Sequence, residues 1–550
     1  MVMTAETTAA NSIEMIHSDT QQDGPRVAES HISTDNELED TELPQAYYFF
    51  TLLAMSVCVF VAGLDFTAVA AILPSVGLQY SKLSTVNWLI TANMLGLAVM
   101  LPLVSKLGSI FGYQVIFGAY GLVFIAGSVM AGAATGMKLL LAGRAFAGMG
   151  ASAAIVIPLM VVTEAGSKRQ RALGLRVLLA AWLLASVLGL VIGGYLCKHE
   201  NWNWVFYLSC IGYTIALMLS IMLVRLPKLD SGPLVQQVKR IDILGMLFLT
   251  GSILTLVLAL NLGGNIFNWS SGVVIVLFVL AVFLAVLLYL VESKIAVDPI
   301  MPVSLLSTRS SALLIGLQPL IGIVTYAPVV YLILWLSIVK HDSPESTCTH
   351  LLAIVASAAV LSVASGLAIS KTGQYTILIY LSCAFLTLGC GLLVLLKEST
   401  SNGSLVGFMI LLGIGVGLTT QPHIIALQAA APAEKISRVI SSILFFRLIG
   451  ATVAIALFNT ILQANLTSKL AAVVLNHPLY LRYILDSPDN QDVIRLPTVP
   501  QSVRDAVIDA NVQGFKDIYI TCLVFAAVTI PLCIFVRHIP ISDKLNMSKR

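Results

Sequence analysis

The chain has 550 residues, 58% of them hydrophobic and only 11% charged, with a formal net charge of +3. A soluble protein of this length cannot hide so much apolar surface, and a mean hydropathy of +0.92 leaves a polytopic helical membrane protein as the only comfortable class. The small net charge says nothing in favour of nucleic acid, and the eight scattered cysteines show no metal-ligand spacing.

The first 44 residues are polar and acidic, with "DNELEDTE" at Asp35–Glu42, and read as a disordered tail with neither a signal peptide nor a packed domain. Beyond them the rule of about 20 apolar residues per crossing predicts about fourteen helical spans. Their approximate ranges are 47–69, 85–105, 113–134, 138–163, 173–196, 204–225, 242–262, 271–291, 311–337, 350–370, 375–396, 404–430, 437–463 and 514–536. The runs are too long and too unalternating for barrel strands.

Basic residues in short loops set the orientation. With a cytoplasmic N-terminus the inner loops hold Lys106, then Lys168, Arg169 and Arg171, then Arg225, Lys228, Lys239 and Arg240, and later Lys294, Arg309, Lys371, Lys435 and Arg438. The short outer loops hold single lysines such as Lys198, Lys340 and Lys397. Both termini are then cytoplasmic, and Asn268, Asn402 and Asn465, each opening a glycosylation sequon, fall outside. The connection at about 464–513, broken by Pro478, Pro488, Pro497 and Pro500, reads as an external loop that either caps the outer face or is a tolerated insertion.

Within the spans, "LLLAGRAFAGMGASAAIVIP" puts Gly143, Ala147 and Ala151 on one helical face, and "ASVLGLVIGG" repeats the spacing at Ala185, Gly189 and Gly193. Small residues four apart let two helix backbones approach closely. Arg144 is an arginine inside an apolar run, and either faces a cavity or partner or plays a structural, snorkelling part. Asp65 is the carboxylate placed well inside a span. A carboxylate is costly there when ionised, so Asp65 is the acidic candidate for proton coupling, with Arg144 as its charge partner; the alternative is a hydrated residue near the outer helix end that tethers a neighbouring span.

Polar residues inside spans are candidates for lining a cavity: Asn93, Gln318, Tyr326, Tyr331, Gln421, His423 and Gln428. Interhelical hydrogen bonding is the competing role for the amides. For His423 it is a neutral, satisfied core histidine, and for Arg447 it is snorkelling from the inner half of its span.

Several stretches, taken in order, resemble the fourteen-span drug:proton antiporter branch of the major facilitator superfamily, as found in fungi. "GLDFTAVAAILPSV" resembles its first-helix signature and "GRAFAGMGASA" its fourth-helix signature. "NWNWVFYLS" resembles the opening of the sixth span, while "RIDILGMLF" and "NLGGNIFNWSS" resemble the two extra helices and the loop between them. "QPHIIALQAAAP" and "FFRLIGATVAIALFNTI" resemble late helices. The resemblance covers about 47–463 and the last span. It implies an all-α major facilitator fold: an N-terminal six-helix bundle at 45–230, two linker helices at 231–305, a C-terminal bundle at 306–536, and cytoplasmic tails at 1–44 and 537–550.

Two stretches depart from the pattern. "SKLGSIFGYQ" keeps Gly108 and Gly112 of the family's inner gating loop, but Ser109 and Ile110 replace the charged pair that latches the two halves. Leu190 stands where the fifth-span antiporter signature has proline. What the resemblance implies is a monomeric secondary transporter in the lipid bilayer. It would export a small amphipathic organic compound, a drug, toxin or secondary metabolite, in exchange for protons at the plasma membrane. It would need no cofactor or metal and perform no enzymatic step, and no nucleotide-binding loop is present. The alternatives are an importer or vacuolar carrier of a polar solute, such as a basic amino acid or an iron chelate, and a non-transporting sensor.

Overall fold

The computed structural model describes residues 45–165, 168–224, 242–264, 267–294, 309–430, 436–536 and 538. The acidic segment 1–44, the basic residues of 225–241, Lys435 and the basic residues of the C-terminal tail lie outside them.

Among the described residues, fourteen helices are long and apolar enough to cross a bilayer. They are α1 (Gln45–Gln79), α2 (Trp88–Phe111), α3 (Tyr113–Gly132), α4 (Met137–Ala165), α5 (Lys168–Lys198), α6 (Trp204–Leu223), α7 (Ile243–Leu262), α8 (Gly272–Lys294), α9 (Arg309–Ile338), α10 (Pro344–Thr372), α11 (Thr376–Leu393), α12 (Asn402–Ala430), α13 (Ile436–Asn476) and α14 (Gln501–Ile534). Helices are what hydrocarbon demands, because they satisfy every backbone polar group within the segment. Local chemistry sets several ends. The Asp242 carboxylate accepts from Gly245 N at 2.8 Å and caps α7; Ser343 caps α10 ahead of Pro344.

The pairings form a repeat. In the first bundle α1 packs on α5 and α6, α2 on α4, and α3 on α4 and α6; in the second α9 packs on α13 and α14, α10 on α12, and α11 on α12 and α14. The second set is the first shifted by eight helices, six of the bundle and two added. Of the added helices, α7 leans on α2 and α13, with Thr460 Oγ1 donating to Leu260 O at 2.8 Å, while α8 turns most of its surface outward.

The face holding the start of α1 and the end of α14 is here the terminal face, the other the opposite face. At the opposite face the bundles share one core, which runs from Leu73 and Val76 of α1 through Val330 and Trp335 of α9 to Phe515 of α14. Polar contacts across the seam reinforce it: Asn87 Nδ2 donates to Asn459 Oδ1 at 3.2 Å, and Lys198 pairs with Glu345 at 2.7 Å. The latter is an exposed pair of the kind worth about 0–1 kcal/mol. Toward the terminal face the bundles have separate cores. Phe446 of α13 touches both, while Phe445 and Leu448 belong to the first.

The connection after α13 is largely helical. α13 continues to Asn476, a short helix follows at Leu481–Asp486, and α14 begins at Gln501. All four prolines fall between the two long helices. Ile484, Ile494 and Val499 join the shared core, and Ser84 Oγ of the α1–α2 turn donates to Asp489 at 2.5 Å. The segment caps the opposite face.

Candidate functional site

Asp65 lies in the body of α1, about 30 Å along the axis from its start at 1.5 Å per residue. It is 3% exposed, so the hydrated, helix-end alternative does not hold. Arg144 of α4 is 1% exposed. Its Nη1 donates to both Asp65 oxygens, at 3.1 and 3.2 Å. The guanidinium carbon also stands 5.6 Å from the centre of the Phe206 ring of α6, a cation–π distance. Asn93 of α2 donates from Nδ2 to Arg144 O at 3.3 Å and is itself buried. Four helices of the first bundle therefore meet on one ion pair.

Small residues make this approach possible. A Cβ on Gly143 would stand 2.6 Å from Ala131 N of α3, and Ala147 is fully buried against the same helix. On α5, Gly189 faces Leu64 O and Gly193 faces Ala68 O of α1, while Ala185 packs on Gly63. These contacts fix α1 against α5 on either side of Asp65.

The second bundle has a buried arginine of its own, Arg447 of α13, 8% exposed, on the helix equivalent to α5 and not to α4. Its Nε and Nη2 donate to Gln318 Oε1 of α9 at 3.2 and 2.9 Å, and Nη2 reaches Thr419 O of α12 at 3.4 Å. Gln318 Nε2 donates to Leu314 O at 3.0 Å, which turns the amide oxygen toward the guanidinium. His423 Nδ1 lies 2.8 Å from the same Thr419 O. A carbonyl can only accept, so Nδ1 carries the proton. Nε2 has no hydrogen-bond partner among the described residues. Arg447 does not snorkel to the surface. α13 approaches α9 so closely at Gly322 that a Cβ there would collide with Arg447 O, and the side chain runs across the bundle.

Between the two sites runs a chain of aromatic rings. Phe66 of α1 lies 6.3 Å from Trp182 of α5 and 5.8 Å, edge to face, from Tyr326 of α9. Tyr326 thus stands on the seam between bundles. The other lining candidates are placed differently. Tyr331 is fully buried, its hydroxyl donating to Ile455 O at 2.7 Å, and it ties α9 to α13 in place of lining a cavity. Gln421 is half-buried and packs toward Gly366 of α10; Gln428 is half-buried near the terminal end of α12. Phe66, Trp182, Phe206 and Thr419 are absent from the candidates read off the sequence. Phe66 and Phe206 lie in stretches that carry the family resemblance but have no polar group to mark them as site residues, Trp182 lies in no such stretch, and Thr419 acts through its backbone.

The "SKLGSIFGYQ" stretch is not a loop over most of its length. α2 runs through Phe111, and Gly112 alone, at φ +93°, breaks the chain before α3. That left-handed conformation is what glycine supplies. Gly108 packs under the Tyr113 ring. At the start of this stretch Ser441 of α13 donates to Ser105 of α2 at 3.2 Å, a neutral bond between bundles at the terminal face.

Of the three sequons, Asn268 and Asn402 are exposed at the opposite face. Asn465 lies inside α13, and its amide donates to Asp517 at 3.0 Å. It therefore lacks the free surface loop that a glycosylation acceptor occupies.

A helical membrane protein with two repeated bundles, sealed at one face over buried charges, has the architecture of a transporter. Residues 55–241 match the model of the Major Facilitator Superfamily. Over nearly its whole length the chain is similar to curated fungal proteins. It is 26% identical over 530 residues to "Efflux pump FUS6" of Gibberella fujikuroi, covering 96% of this chain and 95% of that protein. It is 26% identical over 509 residues to "Acurin A biosynthesis cluster MFS-type transporter" of Aspergillus aculeatus, covering 91% of each. "Efflux pump aflT" of Aspergillus parasiticus matches at 26% over 426 residues, 77% of this chain and 83% of that one.

Among solved structures, a bacterial homolog to the human lysosomal transporter Spinster, inward-facing and occupied, superposes with a TM-score of 0.56 at 13% identity, covering 90% and 97%. An auto-inhibited POT family peptide transporter gives 0.57 at 13%, covering 89% and 98%. At that identity these two speak for the fold alone. The first bundle is thus similar to the Major Facilitator Superfamily.

Proposed function

We propose that this protein is a monomeric secondary exporter of a small amphipathic organic compound. It works by alternating access and proton exchange, performs no covalent chemistry, and resides in the plasma membrane with both termini in the cytoplasm. The terminal face is then the cytoplasmic one, and the structure corresponds to a state closed to the outside. The observation that carries this reading is the buried Asp65–Arg144 pair at the centre of the first bundle. Two opposite charges in the membrane interior are stable while both are present, and adding a proton to Asp65 removes one of them. The guanidinium must then find another partner, which favours a different arrangement of helices by a few kcal/mol, enough to drive a two-state switch. The direction of transport is supported by two relatives named as efflux pumps, and the substrate class by a third named as the transporter of a biosynthesis cluster.

Expression in a pump-deficient host tests it. Cells carrying the protein should accumulate less of an exported compound, whereas higher accumulation would indicate import. Asp65→Asn keeps the shape and hydrogen bonding but cannot titrate. It should reach the surface and lose pH-gradient-driven efflux while keeping slow exchange. Uphill efflux by this variant at the normal rate and with normal pH dependence would remove Asp65 from the coupling role.

A further inference from the structure

We propose that the second bundle holds a binding site for an acidic group, built on Arg447, and that the exported compound is an amphipathic organic acid. The inference deepens the export reading by naming the substrate class.

It begins with the charges. A guanidinium does not lose its proton in a protein, and a buried charge is expensive unless paired. Arg144 has its carboxylate. Arg447 is more than nine-tenths buried, yet the groups it bonds, the Gln318 amide oxygen and the Thr419 carbonyl, are both neutral. Among the described residues no carboxylate lies within ion-pair distance of it, and Asp65 is already engaged. Among the described residues, then, no carboxylate balances the positive charge of this site.

The surrounding groups fit an incoming acid. The guanidinium fork matches the two oxygens of a carboxylate. Gln318 and Thr419 hold the guanidinium through Nε and Nη2. Next to them the buried imidazole of His423 has an unpartnered Nε2. Arg447 lies within electrostatic reach of Tyr326, whose ring meets Phe66 of the other bundle. The acid site thus lies one side chain from the seam through which a substrate would pass. The rings of Phe66, Trp182 and Tyr326 offer an apolar surface beside it. A compound with an acidic head and an apolar body is complementary to both; a cation finds no free carboxylate here.

The test uses the full chain, purified in phosphatidylcholine nanodiscs, and a fluorescent amphipathic acid, dansylaminoundecanoic acid, beside its uncharged methyl ester. A charge-assisted hydrogen bond is worth about 1.5–3 kcal/mol, so the wild-type protein should bind the acid at least about tenfold more tightly than the ester. Arg447→Gln should bring the acid down to the level of the ester and leave the ester unchanged, and Arg447→Lys should retain part of the difference. Equal wild-type affinity for acid and ester overturns the proposal without recourse to any variant. So does an equal loss of both ligands in a folded Arg447→Gln protein. The same pair in efflux assays separates the two readings. Selective binding of the acid without efflux leaves the site standing and removes export. Efflux of both compounds irrespective of Arg447 leaves export standing and removes the site.

Discussion

The two bundles repeat each other in their helix pairings, yet their buried arginines are held differently. In the first, α1 presents Asp65 to Arg144, and the pair is electrically closed. In the second, α9, the helix equivalent to α1, presents the amide of Gln318 to Arg447, and the charge stays open. Protonation of the carboxylate is one way to part a neutralised pair. An open charge waits for a partner from outside. On the readings proposed above, one site would serve coupling and the other cargo.

The comparison is most directly broken by removing each arginine. Arg144→Gln strands the Asp65 carboxylate in the membrane interior, and breaking one side of a buried pair typically costs about 3–5 kcal/mol. Arg447→Gln strands only neutral acceptors, so the loss should be that of ordinary hydrogen bonds, about 0.5–3 kcal/mol. Thermal unfolding in a common detergent should rank Arg144→Gln well below Arg447→Gln, and adding Asp65→Asn to Arg144→Gln should restore part of the loss. Equal destabilisation by the two single variants would mean that the two sites do not differ in the way described.

The comparison is sharpened by making the second site like the first. Gln318→Glu supplies the carboxylate that α9 lacks. It should leave melting temperature unchanged or raised, while binding of an amphipathic acid falls by about tenfold, the equivalent of 1.4 kcal/mol. Undiminished acid binding in this variant would show that Arg447 is not the group the acid meets.

Much of this arrangement was legible in the sequence because hydrocarbon is an intolerant solvent. A lone acid and a lone base in apolar runs have few places to go, and Asp65 with Arg144 could be read as partners. Arg447 reads as a snorkelling residue because its distance from the span end allows it. What redirects it is the close passage of α13 over Gly322 of α9, a contact between distant segments that no local pattern encodes. Tyr331 was misplaced for a similar reason, its hydroxyl finding a backbone carbonyl on α13. α13 and α14 run longer than the spans 437–463 and 514–536 that hydropathy gives. Their polar ends leave the hydrocarbon but remain good helix formers, and the prolines stop them only at Pro478 and Pro500.

A smaller effect concerns the terminal-face contact between bundles. The Ser441–Ser105 hydrogen bond is neutral and worth about 0.5–1.5 kcal/mol. Ser441→Ala should therefore shift the population only modestly toward separation of the bundles at this face. Restoring charges with Ser109→Asp and Ile110→Arg should shift it the other way, closing this face and opening the opposite one. Labelling of single cysteines at the two mouths reads both changes. If accessibility and transport rate are both unaltered by the charged pair, the latch is irrelevant in this protein.

The smallest expected effect is at the opposite face, where the α9–α10 turn meets the cap. His341 sits in that turn with φ +55°. Partial burial, and then the charge of Arg495 from the cap, push its imidazole below the ordinary 6.5, while Asp492 and Asp342 pull weakly the other way. A histidine depressed in the folded state binds fewer protons than the unfolded chain does just below 6.5. Stability is then complete above the unfolded value and declines as pH falls through the interval down to the folded one. Much of the side chain is exposed, so the decline should be slight. Melting temperature followed from pH 7.5 downward should fall below about 6.5, and His341→Gln should flatten that portion of the curve. Arg495→Gln removes the positive charge that depresses the imidazole, so the same portion should become shallower but not vanish, since burial is the larger cause. An Arg495→Gln curve that coincides with the wild type would show that the cap does not act on this turn through charge.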